Sequence, residues 1–213
     1  MVSPKVTVLM AVYNGADTLS EAVESVLLQS FSDWEMVIVD DYSTDNSLEI
    51  INKYVEADNR IRVVINSENL GLPRALNRGL KQARGEFVSR LDADDRFLPE
   101  LLSSQVSVLL KRKDLSILAS AYRYIDTVGN RQEERHPICG NAALRLRLLF
   151  SCPIAHVGTM LRSSSLEKAG GYSEDLSYRY TEDWELWTRV IKIGDIDVLD
   201  EVLFEVRRGA KSD

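Results

Sequence analysis

The stretch IRVVINSENLGLPRALNRGLKQARGEFVSRLDADD, residues Ile61 to Asp95, decides the fold. It opens on a β-branched run, IRVVIN, passes through LPRALNRGLKQA, which reads as a helix, and returns to a second short apolar run, EFVSRL. Gly85 follows the helix where a helix C-terminus favours glycine. Strand, helix and strand in this order argue for parallel strands joined by a crossover helix. The second strand stops abruptly at Asp92, Asp94 and Asp95. Carboxylates this close raise one another's pKa unless positive charge sits among them.

Upstream, the same alternation is present. VTVLMAVY is a buried strand closed by Asn14-Gly15, and Thr18 with Glu21 makes a capping-box pair ahead of Leu19, Ala22, Val23, Val26 and Leu27 at helical spacing. EMVIVDD is a further strand, and STDNSLEIINKYV restarts a helix with Leu48, Ile51 and Val55 on one face. Pro99 stands near the first turn of the next helix, where its missing N–H costs nothing. Beyond residue 115 the pattern loosens. LSILASAYRYID reads as a strand, TVGN as a turn into a polar strand at Arg131 to Arg135, and NAALRLRLLF as a helix. HVGTMLR is a strand, EDWELWTRVIK a helix, and IDVLDEVLFEVRR a closing strand or hairpin. The fold class is α/β: a mostly parallel central sheet flanked by helices, with a smaller antiparallel portion in the second half.

Composition narrows the function. The 213 residues suit one domain, and the net charge of −7 with pI near 5.0 speaks against a general nucleic-acid binder. Cys139 and Cys152 form neither a metal-ligand cluster nor a disulfide framework, which points to a reduced, cytoplasmic setting. The run Val6 to Tyr13 is too short for a signal peptide or a span, and no segment reaches the ~18 apolar residues a span requires. Docking onto the inner face of a membrane stays compatible with this. With only His136 and His156, the chemistry must rest on carboxylates.

In open parallel sheets ligands bind beyond the carboxyl ends of the strands. One strand ends in Asp40-Asp41 and another in Asp92 to Asp95, so both groups face one rim. VDDYSTD taken alone is a turn plus a helix cap; two acidic strand ends on one rim call for a cation. Oxygen-only ligands favour Mg²⁺ or Mn²⁺. A calcium EF-hand loop is excluded, since Phe97 and Ser103 occupy the positions needing Gly and Glu. Neither a GxxxxGK[ST] loop nor a GxGxxG after the first strand is present, so phosphate must be held through metal and arginine.

In order and spacing, VTVLMAVYNGADTLSEAVESVLLQSFSDWEMVIVDDYSTDNS, NLGLPRALNRGLKQARGEFVSRLDADD and TEDWELWTR resemble glycosyltransferase family 2, from about Val6 to Arg208. The resemblance implies a GT-A fold spanning 1–213, with a nucleotide-binding half of about 1–114 and an acceptor-side half of about 115–213. It implies inverting transfer from a nucleotide-diphosphate sugar, a UDP-sugar foremost, to a glycan, lipid-linked or other hydroxyl acceptor, in polysaccharide or glycoconjugate synthesis. Ala11, Tyr13 and Asn14 match the family's nucleotide-contacting PxYN turn, with Ala11 where proline is usual. Asp41 matches the reader of the base, and Tyr42 replaces a frequent glycine, narrowing or covering the nucleotide slot. Asp92 and Asp94 match the DxD element, with Asp94 the principal metal ligand, Asp92 facing the ribose or a metal water, and Asp95 in a supporting or donor-sugar role. Glu182-Asp183 matches the family's ED pair, Asp183 being the catalytic base. On the acceptor side Trp184 is either platform or core, Trp187 is core, and His156 is either an acceptor-side or a buried structural histidine. Arg208 falls where the family's YRxH histidine would stand, and guanidinium can grip a diphosphate but not a cation. Many members continue with further helices, so acceptor-binding or membrane-associating parts can lie outside this chain. The (Q/R)xxRW signature of processive synthases is missing, which points to single-sugar transfer. Two other readings stay open: a nucleotide-binding relative without turnover, and a nucleotidyltransferase, against which VYNGADT offers one glycine and no base.

Overall fold

Strand β1 (Val6–Val12) pairs in parallel with β2 (Trp34–Asp40) on one side and with β4 (Phe87–Arg90) on the other, and β2 pairs in parallel with β3 (Ile61–Ile65). Helices α1 (Leu19–Leu27), α2 (Ser47–Ala57) and α3 (Leu72–Leu80) make the crossovers. These are the strands and helices expected from the apolar runs. They come from a computed structural model, which describes residues 3–208. Because the strands run parallel, Val12, Asp40 and Arg90 all end at the same rim.

The second half adds the antiparallel portion. After the acidic loop, the two-residue strand β5 (Arg96–Phe97) leads into helix α4 (Leu101–Lys111), the long β6 (Leu115–Ile125) and the exposed β7 (Arg131–Arg135). Helix α5 (Asn141–Leu148), strand β8 (Met160–Arg162), helix α6 (Ser163–Ala169), a 3-10 turn at Leu176–Tyr178, helix α7 (Glu182–Val190) and strand β9 (Asp195–Arg207) complete the chain. The sheet runs β3-β2-β1-β4-β8-β6-β9-β5, with β7 branching from β6. Strand β8 is antiparallel to β4 and β6, β9 is parallel to β6, and β5 is antiparallel to β9. The far end of β9 therefore lies beside the acidic loop.

Both faces of the sheet are covered, which is why its parallel strands read as continuous apolar runs. Val8, Met10, Met36 and Ile38 pack on one face with Val23 of α1, Ile51 of α2 and Val106 of α4. Leu9, Val37 and Val88 face the other way, against Leu76 of α3, Leu166 of α6, and Leu186 and Trp187 of α7. Among the described residues no helix is long and apolar enough to cross a membrane.

Three local expectations are corrected. Thr18 precedes α1 but its side chain makes no cap, and Glu21 turns away to take hydrogen bonds from Arg96 and Arg207. A charged partner outbids the weak reciprocal cap. Gly85 does not end α3, which stops at Leu80; a Cβ there would sit 2.4 Å from the Thr7 nitrogen, so glycine lets β4 start against β1. HVGTMLR is a strand only over Met160–Arg162. Gly158 has φ +69°, and a Cβ on it would lie 2.3 Å from the Phe204 ring, so the chain bends there to clear β9.

Candidate active site

The acidic loop is built by strand β4 and finished by β9. Arg90 is the last residue of β4 and its side chain is 1% exposed. Its guanidinium turns back to the Leu91 carbonyl and to Asp92 Oδ1. Asp95 is also buried, with Oδ1 accepting the Arg207 N–H at 2.8 Å. Asp94 is exposed, and no other residue among those described donates a hydrogen bond to its carboxylate. Desolvation and the adjacent Asp92 hold the Asp94 carboxyl above its usual range. Burial, followed by Asp92 and Asp94, pushes Asp95 up further.

This arrangement answers what ion suits the loop. Among the described residues no three His, Cys, Asp or Glu side chains converge as a closed metal cage. Asp94, repelled by its neighbours and without a partner, fits one hard cation whose remaining positions go to water and phosphate oxygens, the habit of Mg²⁺ and Mn²⁺ sites. Asp92, half engaged by Arg90, is placed to assist.

The neighbouring turn is zipped to the one after β2. Asn14, at φ 52°, donates its N–H to Ser43 Oγ at 3.1 Å and accepts the Thr44 N–H at 2.8 Å. Ala11 lies within β1 opposite Val39, while Tyr13 and Tyr42 stand half exposed at the rim. Asp41 faces inward: its carboxylate accepts from Asn66 Nδ2 at 2.6 Å, Leu70 N at 2.9 Å and Gly71 N at 2.8 Å. It thereby holds the loop before α3. Asp40 Oδ1 is buried without a partner among the described residues.

Across the rim, Asp183 lies in the first turn of α7. Its Oδ1 accepts the Trp184 N–H at 2.7 Å, and its Oδ2 receives the Cys152 thiol at 3.6 Å. Burial raises its carboxyl above the ordinary range, and Glu182 adds to the rise. Burial and then Asp183 in turn push the Cys152 thiol up to about 12, so the thiol stays protonated, its one S–H shared between the Ile154 carbonyl at 3.2 Å and Asp183. Glu182 lines a cavity of about 360 Å³ between the loop before α3 and residues 174–180. Trp184 donates its indole N–H to the Leu148 carbonyl at 2.8 Å, fastening α7 to α5, and Trp187 is fully buried as expected.

His156, half-buried, is tied into the protein by its ring contacts. Its Nε2 meets the Tyr172 hydroxyl at 2.8 Å and its ring packs edge-on to Trp187. Burial, reinforced by Arg90, pushes it down to about 3, so it is neutral. The Tyr172 hydroxyl lies within electrostatic reach of Arg90 and Asp92 and of Asp183 and Glu182, the two halves of the site.

At the end of β9 the expected arginine is displaced by one residue. Arg208 stacks its guanidinium on Tyr124 at 3.6 Å from the ring centre, away from the acids. Arg207 takes the place beside them, with Nε donating to the Asp94 carbonyl at 3.0 Å and Nη2 to Glu21 at 2.7 Å. Successive residues of a strand point to opposite faces, so only one of the pair can reach the loop. Arg90 and Arg207 escaped the reading of the sequence. An arginine ending an otherwise apolar strand immediately before an acid cluster was the available signal for Arg90.

Comparison with known proteins agrees with this architecture. The description Glycosyl transferase family 2 matches residues 7–170. "Putative glycosyltransferase EpsE" of Bacillus subtilis (strain 168) is 33% identical over 206 residues, covering 96% of this chain and 73% of that protein. The "Amylovoran biosynthesis glycosyltransferase AmsE" of Erwinia amylovora is 29% identical over 207 residues, covering 96% of this chain and 76% of that protein. The crystal structure of S. aureus TarS 1–349 in complex with UDP matches with a TM-score of 0.74 at 25% identity, covering 96% of this chain, which spans 60% of that 1–349 chain. On the family match and the shared architecture together, the chain belongs to glycosyl transferase family 2 and has the GT-A fold.

Proposed function

We propose that the chain is an inverting transferase that moves one sugar from a UDP-sugar to an acceptor hydroxyl in the synthesis of a polysaccharide or related glycoconjugate. UDP is favoured by the TarS complex, and the polysaccharide setting by the likeness to AmsE. The observation that carries the reading is that one tyrosine, Tyr172, feels both Arg90 and Asp92 of the acidic loop and Asp183 and Glu182 of α7, which brings the exposed Asp94 loop and the Asp183 carboxylate into one neighbourhood.

In this reading Tyr13, Asn14 and Tyr42 line the slot for the base, with Ala11 and Asp41 shaping it from the strand ends and from the loop before α3. Asp94 and Asp92 would hold a divalent cation, which when bound neutralises charge gathering on the diphosphate. Asp95 supports that loop from within. The acceptor oxygen bonds to the anomeric carbon as the bond from that carbon to the β-phosphate oxygen breaks. Asp183 takes the acceptor proton, and UDP leaves with the electron pair. A single displacement inverts the α-linked donor to a β product. Glu182 and the cavity beside it receive the reacting sugars, while Trp184, through Leu148, keeps α7 and hence Asp183 in place.

Thermal unfolding with UDP, GDP, dTDP and CDP, each with Mn²⁺ or with EDTA, tests the donor site. A ligand at a hundredfold over its Kd stabilises by about 2.7 kcal/mol, or roughly 5–11 °C for a domain of this size. A manganese-dependent rise with UDP is the expected result; a flat response to all four nucleotides would sink the reading.

A further inference from the structure

We infer that Arg207 is the positioning residue of the acidic loop: it clamps the loop so that Asp94 faces outward beside the half-exposed Asp92. The inference rests on the reading of Asp94 as the cation ligand.

The contacts define a clamp with three jaws. Toward the loop, the Arg207 backbone N–H is donated to Asp95 Oδ1 at 2.8 Å and Nε to the Asp94 carbonyl at 3.0 Å. Toward α1, Nη2 is donated to Glu21 at 2.7 Å. Toward the turn between β6 and β7, Nη1 is donated to the carbonyls of Thr127 at 2.9 Å and Asp126 at 3.3 Å. The side chain is only 7% exposed. Every nitrogen of the guanidinium is thus committed inside the protein, so Arg207 acts on a ligand only through the loop it holds.

The loop needs such a clamp. Asp92, Asp94 and Asp95 repel one another, and relaxing that repulsion would splay the turn. Arg90 restrains Asp92 from the β4 side; the Arg207 backbone N–H holds Asp95, and Nε of its side chain holds the Asp94 carbonyl, which is the loop contact that a substitution at 207 removes. A planar five-donor fork can reach three segments at once; a lysine ammonium cannot. Glu21 is steadied by Arg96, which also pairs with Glu205, so the anchoring point on α1 is itself fixed.

The test uses Arg207→Met, Arg207→Lys and Glu21→Gln, with UDP·Mn²⁺ affinity measured by calorimetry and amide hydrogen exchange followed over residues 92–97. Loss of a group that orients a metal ligand typically costs about 10–100-fold in metal affinity, and Arg207→Met should fall in that range with faster exchange in the loop. Arg207→Lys should resemble the methionine variant, because charge without the fork does not clamp. Glu21→Gln, which keeps the fork intact, should give a smaller change in the same direction and decides the matter if neither arginine variant folds. Wild-type affinity and exchange in the variants would overturn the inference, as would full rescue by lysine. If the wild type itself fails to bind UDP·Mn²⁺, the proposed function falls, and exchange over 92–97 still decides whether Arg207 is the clamp.

Discussion

Asp183→Asn separates chemistry from architecture at this site. Asparagine keeps its one carbonyl oxygen for the Trp184 N–H at 2.7 Å and turns its N–H₂ toward the Cys152 sulfur, whose thiol still has the Ile154 carbonyl at 3.2 Å, so the first turn of α7 should not move. What disappears is the ability to take a proton. A well-placed general base is worth about 10²–10⁴-fold, which is about 2.7–5.4 kcal/mol on the barrier. The variant should therefore lose kcat by that factor while its UDP·Mn²⁺ affinity stays at the wild-type level. Stability should move the other way. The Asp183 carboxyl binds its proton more tightly in the fold than in the unfolded chain, so its ionisation at neutral pH works against folding. Removing that charge should raise Tm at pH 7 and leave it nearly unchanged at pH 4. Single-turnover transfer, nucleotide titration and calorimetry at the two pH values give all three readouts. A kcat within tenfold of wild type, or a variant that has lost UDP, would refute the assignment of the base.

Three further outcomes follow from the same geometry. Arg90→Met strips the buried partner from Asp92. Breaking a buried pair costs about 3–5 kcal/mol, and since Asp92 keeps some solvent we expect about 3, a Tm loss of roughly 6–12 °C by calorimetry; Mn²⁺ should recover part of it. Asp94 and Asp95 bind protons more tightly folded than unfolded, so their share of stability is lost as pH rises from about 4 through their raised values. The difference in Tm between wild type and Asp94→Asn, followed against pH, isolates this share from Glu35 and Asp58, whose lowered values act oppositely, and Mn²⁺ should flatten it. Asp41→Asn keeps one acceptor oxygen and sets its N–H₂ against either the Gly71 N–H or the donors of Asn66 and Leu70. A cost of about 1–3 kcal/mol in ligand-free stability by urea titration is expected, and an unchanged midpoint would deny Asp41 its role in holding the loop before α3.

The sequence was most legible where burial is two-sided. Strands β1 and β2 are covered on both faces, so VTVLMAV and WEMVIVD read as unbroken apolar runs, and the direction they impose brings Asp40, Asp41 and Asp92 to one rim. The acids could be found because their loops follow directly on those strands. The arginines were harder. Arg90 sits within a strand as a buried cation, and its meaning depends on which way its side chain folds back. Arg207 was missed in favour of Arg208 because the pleat of β9 cannot be counted through its irregularities. Against β6, the pairing shifts between Leu115 and Ile117, passes from Leu199 to Val202 and then from Val202 to Phe204. Each single-residue shift exchanges the two faces, so alternation along the sequence does not say which of Arg207 and Arg208 points at the loop. Glu21 was read as a local cap because its partners are 75 and 186 residues away.

The short pairing of β5 with β9 has a temporal side. Asp95 and Arg207 are 112 residues apart, so at about 5–20 residues per second a ribosome needs roughly 6–22 s to deliver one after the other. Over that interval the nascent chain can close the β3-β2-β1-β4 pairings, none of which needs a strand made after β4, but the acid loop at the rim is unfastened. Long-range pairing of this kind is slow to form. The parallel first half of the sheet should thus acquire its shape well before the acidic rim is complete, and the rim should mature only as the last strand docks.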